Sequence, residues 1–209
     1  VLESPVSLSV ISELELARAT APTLAELMRD LPGIQVTDSG QPGQGRIRIR
    51  GEESRRTAIL VNSQEVTDHY EVGTPLSLNP AMVERIEVMR GSGSVLYGSQ
   101  ALSGVVNLIT KKGGTEPLQA SVEGGYDSAT DGYNSFASLY GNVDGFEYRV
   151  AGARSDHEDR STPAGSMDNT GFNNDSVYVY AGRDFGAQRL EYTYENYESS
   201  SGAYVEEEV

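Results

Sequence analysis

The feature that constrains the fold most is the stretch 83–112, in which two strand patterns enclose a turn rich in glycine and serine. Residues 83–88 alternate loosely between apolar and charged side chains, and residues 104–110 form an apolar, β-branched run. Both patterns are typical of strands. The turn 91–94 lacks the Lys-Ser/Thr pair and the glycine spacing of a nucleotide-binding loop, so we interpret it as a simple chain reversal.

This stretch resembles the end of the plug domain of TonB-dependent outer-membrane receptors, whose signature is roughly E-R-I-E-V-x-R-G-x-x-S-x-L-Y-G-x-x-A-x-x-G-V-[IV]-N-[IV]-I-T-K. Two earlier segments, 24–36 and 48–51, resemble the family patterns L-x-E-L-x-x-x-L-P-G-[IV]-x-V and R-x-R-G, in the same order. The family often has V-D-G where this chain has Val-Asn-Ser at 61–63, so we expect that turn to be built differently.

Charge and tyrosine content divide the chain into two regions. The 209 residues include no Cys and carry a net charge of −15, which argues against a nucleic-acid-binding protein. Residues 1–113 hold 11 Lys and Arg against 13 Asp and Glu, whereas residues 114–209 hold 5 against 18 and most of the tyrosines. We therefore predict a plug (cork) domain at 1–113 and the N-terminal strands of an outer-membrane β-barrel at 114–209.

The first region has the pattern of a small mixed α/β domain. Capping-box sequences at 12–15 and 23–26 predict two helix starts, and Pro32-Gly33 ends the second helix. A short helix is predicted from Asn79-Pro80. The predicted strands are 6–11, 34–36, 46–51, 58–62, 83–88 and 104–110.

The second region has the pattern of a barrel wall, because its strands alternate apolar and polar residues between lipid and an aqueous lumen. Tight turns at 144–145 and 186–187 alternate with longer connections, the longest at 155–175, and the longer ones are expected outside the cell. A plugged barrel needs about 22 strands. We therefore expect the chain to be the N-terminal part of a longer one. It has no obvious TonB box, the short segment that members of the family carry ahead of the plug, so we expect that segment before residue 1. The five predicted strands are 118–126, 133–143, 146–154, 176–185 and 188–197.

The resemblance implies a latch role for Arg50 and Arg90, since arginines at these R-G positions pair with glutamates on the inner wall of the barrel. A guanidinium can bind a carboxylate through two hydrogen bonds, which gives orientation as well as attraction. Glu191 and Glu195 are partners of the right kind. For Arg46 and Arg48, a latch role and a solvated edge-strand face remain equal alternatives.

Ligand contact is expected at the plug loops that face the extracellular mouth. The candidate residues are Arg55, Arg56, His69 and Tyr70 on the plug and His157 in the loop predicted at 155–175. An imidazole can ligate haem iron or another metal, which makes His69 and His157 weak candidates, although a lone histidine in a loop is more often simply solvated. No catalytic constellation is present, so an enzyme is disfavoured.

The leading interpretation is a TonB-dependent receptor in the outer membrane of a Gram-negative bacterium. It would take up a scarce iron-containing ligand, a ferric siderophore or haem, with no intrinsic cofactor; cobalamin or another metal complex stays open. Its expected partners are TonB with its inner-membrane motor, outer-membrane lipid and the small-molecule iron ligand, and not nucleic acid. The alternative is an energy-independent barrel protein, an adhesin or diffusion channel, with an N-terminal globular insert.

Overall fold

The computed structural model describes residues 7–18, 23–38, 45–66, 78–91, 101–163 and 165–202. The described residues up to Thr110 form one compact unit, unit 1, and those from Lys111 onward form a second, unit 2. The boundary predicted after residue 113 falls in the linker segment, residues 111–118, which connects the last strand of unit 1 to the first strand of unit 2. Within the described ranges, no helix is long and apolar enough to cross a membrane.

Unit 1 is a mixed α/β unit built on a five-stranded sheet. The sheet order is β1-β6-β7-β4-β5, in which only the β4–β7 pair is parallel, and β2 and β3 form a separate antiparallel pair. The strands are β1 (Ser7–Ile11), β2 (Ile34–Asp38), β3 (Gly45–Ile49), β4 (Thr57–Val61), β5 (Gln64–Glu65), β6 (Val83–Arg90) and β7 (Gly104–Thr110). The helices are α1 (Glu13–Arg18) and α2 (Leu24–Leu27), with 3-10 turns at Ser54–Arg56 and Pro80–Met82.

Both helices begin at the predicted capping residues. The Glu15 carboxylate accepts hydrogen bonds from the Ser12 backbone N–H at 2.8 Å and from the Ser12 hydroxyl at 2.7 Å. These bonds hold the pKa of the Glu15 carboxyl below its usual 4.5. The Thr23 hydroxyl accepts from the Glu26 N–H at 3.3 Å. Helix α2 is shorter than its apolar spacing predicted, because turns replace the helix after Leu27.

A β-bulge in β6 explains the loose alternation of its sequence. The pairing with β7 shifts between Val83 and Arg85, so Glu84 is an extra residue in the ladder. The bulge brings Val83 onto the same buried side as Ile86 and Val88, all of which are completely buried. These residues belong to the main core of unit 1. The same core contains Leu24 of α2, Met28 directly after α2, and the isoleucines of β3.

The turn after β4 carries Val-Asn-Ser at 61–63, where the family often has V-D-G. Asn62 and Ser63 both have positive φ, 51° and 67°, which is the geometry of a type I′ hairpin turn. The Asn62 side-chain oxygen accepts the Thr110 N–H at 3.0 Å, and its amide nitrogen donates to the Thr110 hydroxyl at 2.8 Å. The turn is therefore attached to the end of the central strand β7.

Unit 2 is an antiparallel meander in the order β14-β13-β10-β9-β8. Asp144 and Gly145 connect β9 to β10 with φ of 50° and 79°, and Gly186, with φ of 72°, begins the turn between β13 and β14. Its long strands are β8 (Gln119–Asp127), β9 (Gly132–Val143), β10 (Phe146–His157), β13 (Phe172–Phe185) and β14 (Gln188–Ser201).

The connection predicted at 155–175 is more ordered than a long loop. Strands β10 and β13 extend into it as far as the pair His157–Phe172, and β11 (Arg160–Thr162) and β12 (Gly165–Met167) form a small hairpin within it. The predicted loop was too long because each strand continues as far as its neighbour forms hydrogen bonds with it, even where its sequence no longer alternates between apolar and polar residues.

The two faces of the unit 2 sheet differ in composition and burial. One face, which we call the inner face, is buried mainly on β9, β10 and β13 and mixes aromatic, charged and small polar side chains such as Tyr178, Tyr180, Arg149 and Ser138. The opposite face, the outer face, is exposed and carries most of the large apolar side chains, with the charged residues Arg154, Asp156 and Asp175 toward one end. Its large members include Val122, Leu139, Val143, Phe146, Val150, Val177, Phe185, Leu190, Tyr192 and Tyr194.

Candidate functional site

Arg50 lies in a tight turn that follows β3. Arg50 and Gly51 have φ of 56° and 78°, and the Glu52 N–H closes the turn on the Ile49 carbonyl at 3.1 Å. A left-handed arginine is costly, by about 1 kcal/mol or more. The Arg50 N–H donates to the Gly33 carbonyl at 2.8 Å, which ties this turn to the end of the helical segment before β2.

Arg90, the last residue of β6, is only 8% exposed. Its Nη1 donates to the Ser7 hydroxyl at 2.9 Å and its Nη2 to the Ser9 hydroxyl at 2.6 Å, while its Nε has no hydrogen-bond partner. Among the residues that the structure describes, Arg90 forms no ion pair with a carboxylate. A buried guanidinium held only by neutral hydroxyls is incompletely satisfied, so it favours the approach of a carboxylate.

Gly33 brings the two predicted latch arginines together. A Cβ atom placed on Gly33 would lie 3.9 Å from Arg50 Cγ and 3.9 Å from Arg90 Cδ. The stems of both side chains therefore flank one glycine, which itself has φ of 77°. The two arginines were selected from separate R-G positions in the sequence, and the geometry places their stems beside the same glycine.

The residues predicted to face a ligand are only partly described. Arg56 is exposed and pairs with Glu52, Nη1 to Oε2, at 2.9 Å. The backbone of Arg55 lies in the 3-10 turn Ser54–Arg56, which is held because the Ser103 N–H and hydroxyl both donate to the Arg56 carbonyl, at 3.0 and 2.8 Å. His69 and Tyr70 lie outside the described residues.

His157 does not lie in a solvated loop, which corrects its predicted position. It is the last residue of β10 and is 4% exposed. Its Nδ1 and the Thr130 hydroxyl lie 2.8 Å apart, its Nε2 lies 3.2 Å from the Asn134 side-chain oxygen, and its ring stacks on Phe172 at 4.6 Å. Metal ligation by His157 stays a prediction that would require one of these bonds to break. Across the described ranges, no three His, Asp or Glu side chains are grouped as a metal site would need.

A charged network on the inner face was not predicted. Glu191 Oε1 accepts from Arg189 Nε at 2.9 Å and from the Tyr180 hydroxyl at 2.9 Å. Arg189 also pairs with Glu147 at 2.8 Å and with Asp184 at 2.6 Å. The alternation placed Glu191 on the inner face, but only the register of β10, β13 and β14 reveals that its carboxylate is already shared by several donors.

A family model, the TonB-dependent receptor plug domain, matches residues 1–105. The chain belongs to the TonB-dependent receptor family. Its fold is a plug domain in unit 1 followed by the first strands of a transmembrane β-barrel in unit 2. The predicted family and fold class are therefore confirmed.

Two curated relatives carry transport or receptor names. The chain is 33% identical over 139 residues to the vitamin B12 transporter BtuB of Photobacterium profundum, covering 66% of this chain and 22% of the transporter. It is 35% identical over 148 residues to the hemin receptor of Yersinia pestis, covering 68% of this chain and 22% of the receptor. The chain thus spans about a fifth of the length of these relatives.

Solved receptors share the fold of this TonB-dependent receptor chain. The ferric yersiniabactin uptake receptor FyuA from Yersinia pestis superposes with a TM-score of 0.79 at 25% identity, covering 96% of this chain and 33% of that one. The siderophore receptor PirA from Acinetobacter baumannii gives a TM-score of 0.78 at 24% identity, covering 93% of this chain and 32% of that one. The similar proteins named here are transporters and receptors, not enzymes.

Proposed function

We propose that this chain is the N-terminal part of an outer-membrane receptor that takes up a scarce iron-containing ligand, a ferric siderophore or haem, with energy delivered through TonB. The observation that carries the proposal is the plug-domain match over residues 1–105, followed by a sheet whose outer face is apolar and exposed. The plug closes the lumen of the complete barrel, and the chain performs transport and not catalysis.

The outer face supports a location in the outer membrane of a Gram-negative bacterium. Val122 is 82% exposed, Leu190 69% and Leu139 55%, and each lies on a strand whose neighbouring residues face the opposite, polar side. A water-soluble protein rarely exposes a contiguous apolar surface of this kind, whereas the outside of a membrane barrel requires one. Lipid is therefore the partner of this face.

The latch proposal rests on Arg90 and Arg50. Arg90 is buried with an unpartnered Nε, and the Arg50 stem lies beside it across Gly33. A pair of guanidinium groups with spare donors fits carboxylates supplied by the barrel wall. Glu191 already accepts from three donors, so we expect other carboxylates of the complete barrel wall to pair with the two arginines.

TonB dependence is tested by uptake of radiolabelled iron complexes into cells that produce the full-length receptor. We expect uptake in a tonB-positive strain and none in an isogenic tonB deletion. Complementation with plasmid-borne tonB is the control. Equal uptake in both strains would favour the energy-independent alternative, a barrel adhesin or diffusion channel.

Ligand identity is tested by titrating the purified full-length receptor with haem and, in parallel, with ferric siderophores. A Soret shift that disappears in His69→Ala and persists in His157→Ala would assign haem and place its ligand on the plug loop. No Soret shift with the wild type, together with siderophore binding, would assign the siderophore. Binding of cobalamin alone would contradict the iron ligand while leaving the receptor class intact.

The latch predicts a leak. Arg90→Ala should raise the permeability of the receptor to small solutes, measured as conductance in planar bilayers or as antibiotic sensitivity of cells. Arg56→Ala is the matched control, since Arg56 is exposed and pairs only locally with Glu52 among the described residues. Unchanged conductance in Arg90→Ala would refute a latch at this position.

A further inference from the structure

The linker segment 111–118 has no helix or strand, yet its first half is fixed by charged groups. Lys112 Nζ donates to Glu191 Oε1 at 2.6 Å, and the Lys112 carbonyl accepts from Arg149 Nε at 2.5 Å. One residue is therefore held at both its backbone and the end of its side chain, by strands β10 and β14.

Arg149 is itself immobilised, which makes it an effective support. It is 6% exposed, its Nη1 donates to the Ser138 hydroxyl at 2.8 Å, and its guanidinium lies 3.9 Å from the centre of the Tyr140 ring. A buried guanidinium stacked on an aromatic ring and bonded to a carbonyl has little freedom to move. Glu191 is likewise held, by Arg189 and Tyr180.

The second half of the linker is bonded to strands β8, β9 and β10 through its backbone. The Gln119 side-chain oxygen accepts from the N–H groups of Thr115 and Glu116 at 3.1 and 3.3 Å. The Asn142 N–H donates to the Glu116 carbonyl, and the Tyr148 hydroxyl donates to the Pro117 carbonyl, each at 2.8 Å. These bonds occupy backbone groups that would bind water in a free tether.

Glycines allow the linker to lie directly against the strands. A Cβ on Gly113 would come within 2.6 Å of Glu147 Cβ, and a Cβ on Gly141 would collide with the Pro117 carbonyl. Real side chains cannot approach so closely, so glycine is required at both positions for this contact. One of these glycines lies in the linker and the other on strand β9, so both partners of the contact are adapted to close packing.

We propose that residues 111–118 form a fixed anchor that belongs to the barrel wall, in which Lys112, Arg149 and Glu191 are the positioning residues. The anchor keeps the point where the plug is attached to the wall immobile while ligand is transported. The opposite behaviour would be a tether that detaches from β10 and β14 so that the plug can move with it. The proposal rests on the proposed transport function.

A covalent tether distinguishes a fixed anchor from a detachable one. In the full-length receptor, Lys112→Cys and Glu191→Cys are combined, and the two thiols are joined by a short bifunctional methanethiosulfonate; the chain described here has no native cysteine. We expect the cross-linked receptor to retain at least half of the TonB-dependent uptake of the same variant before cross-linking. Loss of uptake on cross-linking, restored by a thiol reductant, would overturn the anchor.

A cross-link inside the plug serves as the control for transport itself. Leu8→Cys and Met89→Cys join β1 to its neighbour β6 at a paired position. If uptake requires rearrangement of the plug, this link should abolish uptake reversibly while the Lys112–Glu191 link does not. Uptake that ignores both links and persists without TonB would contradict the proposed function and not the anchor.

Hydrogen exchange on the wild-type receptor provides a test that needs no cysteine variant. The anchor predicts slow exchange at the amides of Thr115 and Glu116, and at least tenfold faster exchange in Gln119→Ala, which removes their acceptor. Thr115 and Glu116 amides that exchange at the rate of a free peptide in the wild type would refute the anchor.

Discussion

In unit 1 the apolar side chains of β3, β6 and β7 point into a closed core, whereas in unit 2 most large apolar side chains of β8–β14 point outward. Ile49, Ile86 and Leu108 are completely buried, while Val122 and Leu190 are more than two-thirds exposed. The same period-2 alternation serves both sheets. The difference is that other residues of the protein cover the apolar side of the strands in unit 1, whereas the apolar side chains of the outer face in unit 2 are exposed.

Two leucines with the same exposure, one in each unit, show this difference directly. Leu8 on β1 is 56% exposed and Leu139 on β9 is 55% exposed. Leu8 lies on the edge strand of unit 1, and exposed apolar side chains there are normal for a surface in water. Leu139 belongs to a continuous apolar face, so equal exposure has a different energetic meaning in the two units.

The largest expected effect is loss of core packing in unit 1. Ile86→Ala should destabilise unit 1 by about 2–5 kcal/mol, because it removes buried methyl groups and leaves a cavity. The free energy of opening can be measured by hydrogen exchange at the β6 and β7 amides in the full-length receptor. Val10→Ala, on the exposed side of β1, is the control and should stay within about 0.5 kcal/mol of wild type. Equal effects of the two substitutions would mean that the core is not where the burial places it.

The comparison of Leu8 with Leu139 gives the second prediction. Leu139→Arg should cost about 2–4 kcal/mol if Leu139 lies near the middle of a bilayer, because the charge must leave water. Leu8→Arg should change stability by no more than about 0.5 kcal/mol, as for most surface substitutions. Both are measured as the free energy of unfolding of the full-length receptor in phospholipid vesicles. A tolerated Leu139→Arg would place this face in water and contradict the membrane assignment.

The third prediction concerns the turn that departs from the family pattern. Asn62→Ala removes the bonds to Thr110 and puts Ala at a positive φ, for a combined cost of about 1–3 kcal/mol. Asn62→Gly removes the same bonds but tolerates the φ, so it should be the milder change. Exchange of the Thr110 amide, which donates to Asn62, reports the loss. If Gly and Ala give the same cost, backbone strain contributes nothing at this turn.

Sequence patterns predicted much of both units where a local signal was sufficient. The caps at Ser12 and Thr23, the tight turn at 144–145 and the alternation of β14 each depend on residues close together in the chain. The two latch arginines were selected through family resemblance, and the geometry at Gly33 adds that they are neighbours.

What the sequence did not reveal depends on partners distant in the chain. The bulge at Glu84 is defined only against β7, and the extension of β10 to His157 only against Phe172. The anchor at Lys112 joins a coil segment to residues on other strands, and coil carries no periodicity from which contacts can be inferred. Such features depend on which residues of two strands lie opposite each other, and those residues are far apart in the chain.

The smallest expected effect is a pH dependence at the start of α1. Because hydrogen bonds from Ser12 lower the pKa of Glu15 in the folded state, the ionised carboxylate stabilises the helix at neutral pH. That stabilisation is fully present above the usual value of 4.5 and is lost as the pH falls through the lowered value. Glu15→Gln should therefore speed exchange of the Leu16 amide, which donates to the Ser12 carbonyl, more at pH 7 than at pH 3. Glu13→Gln, which removes the other acidic charge of the same first turn, is the control. A Glu15→Gln effect that is the same at both pH values would show that the carboxylate charge does not contribute to the cap.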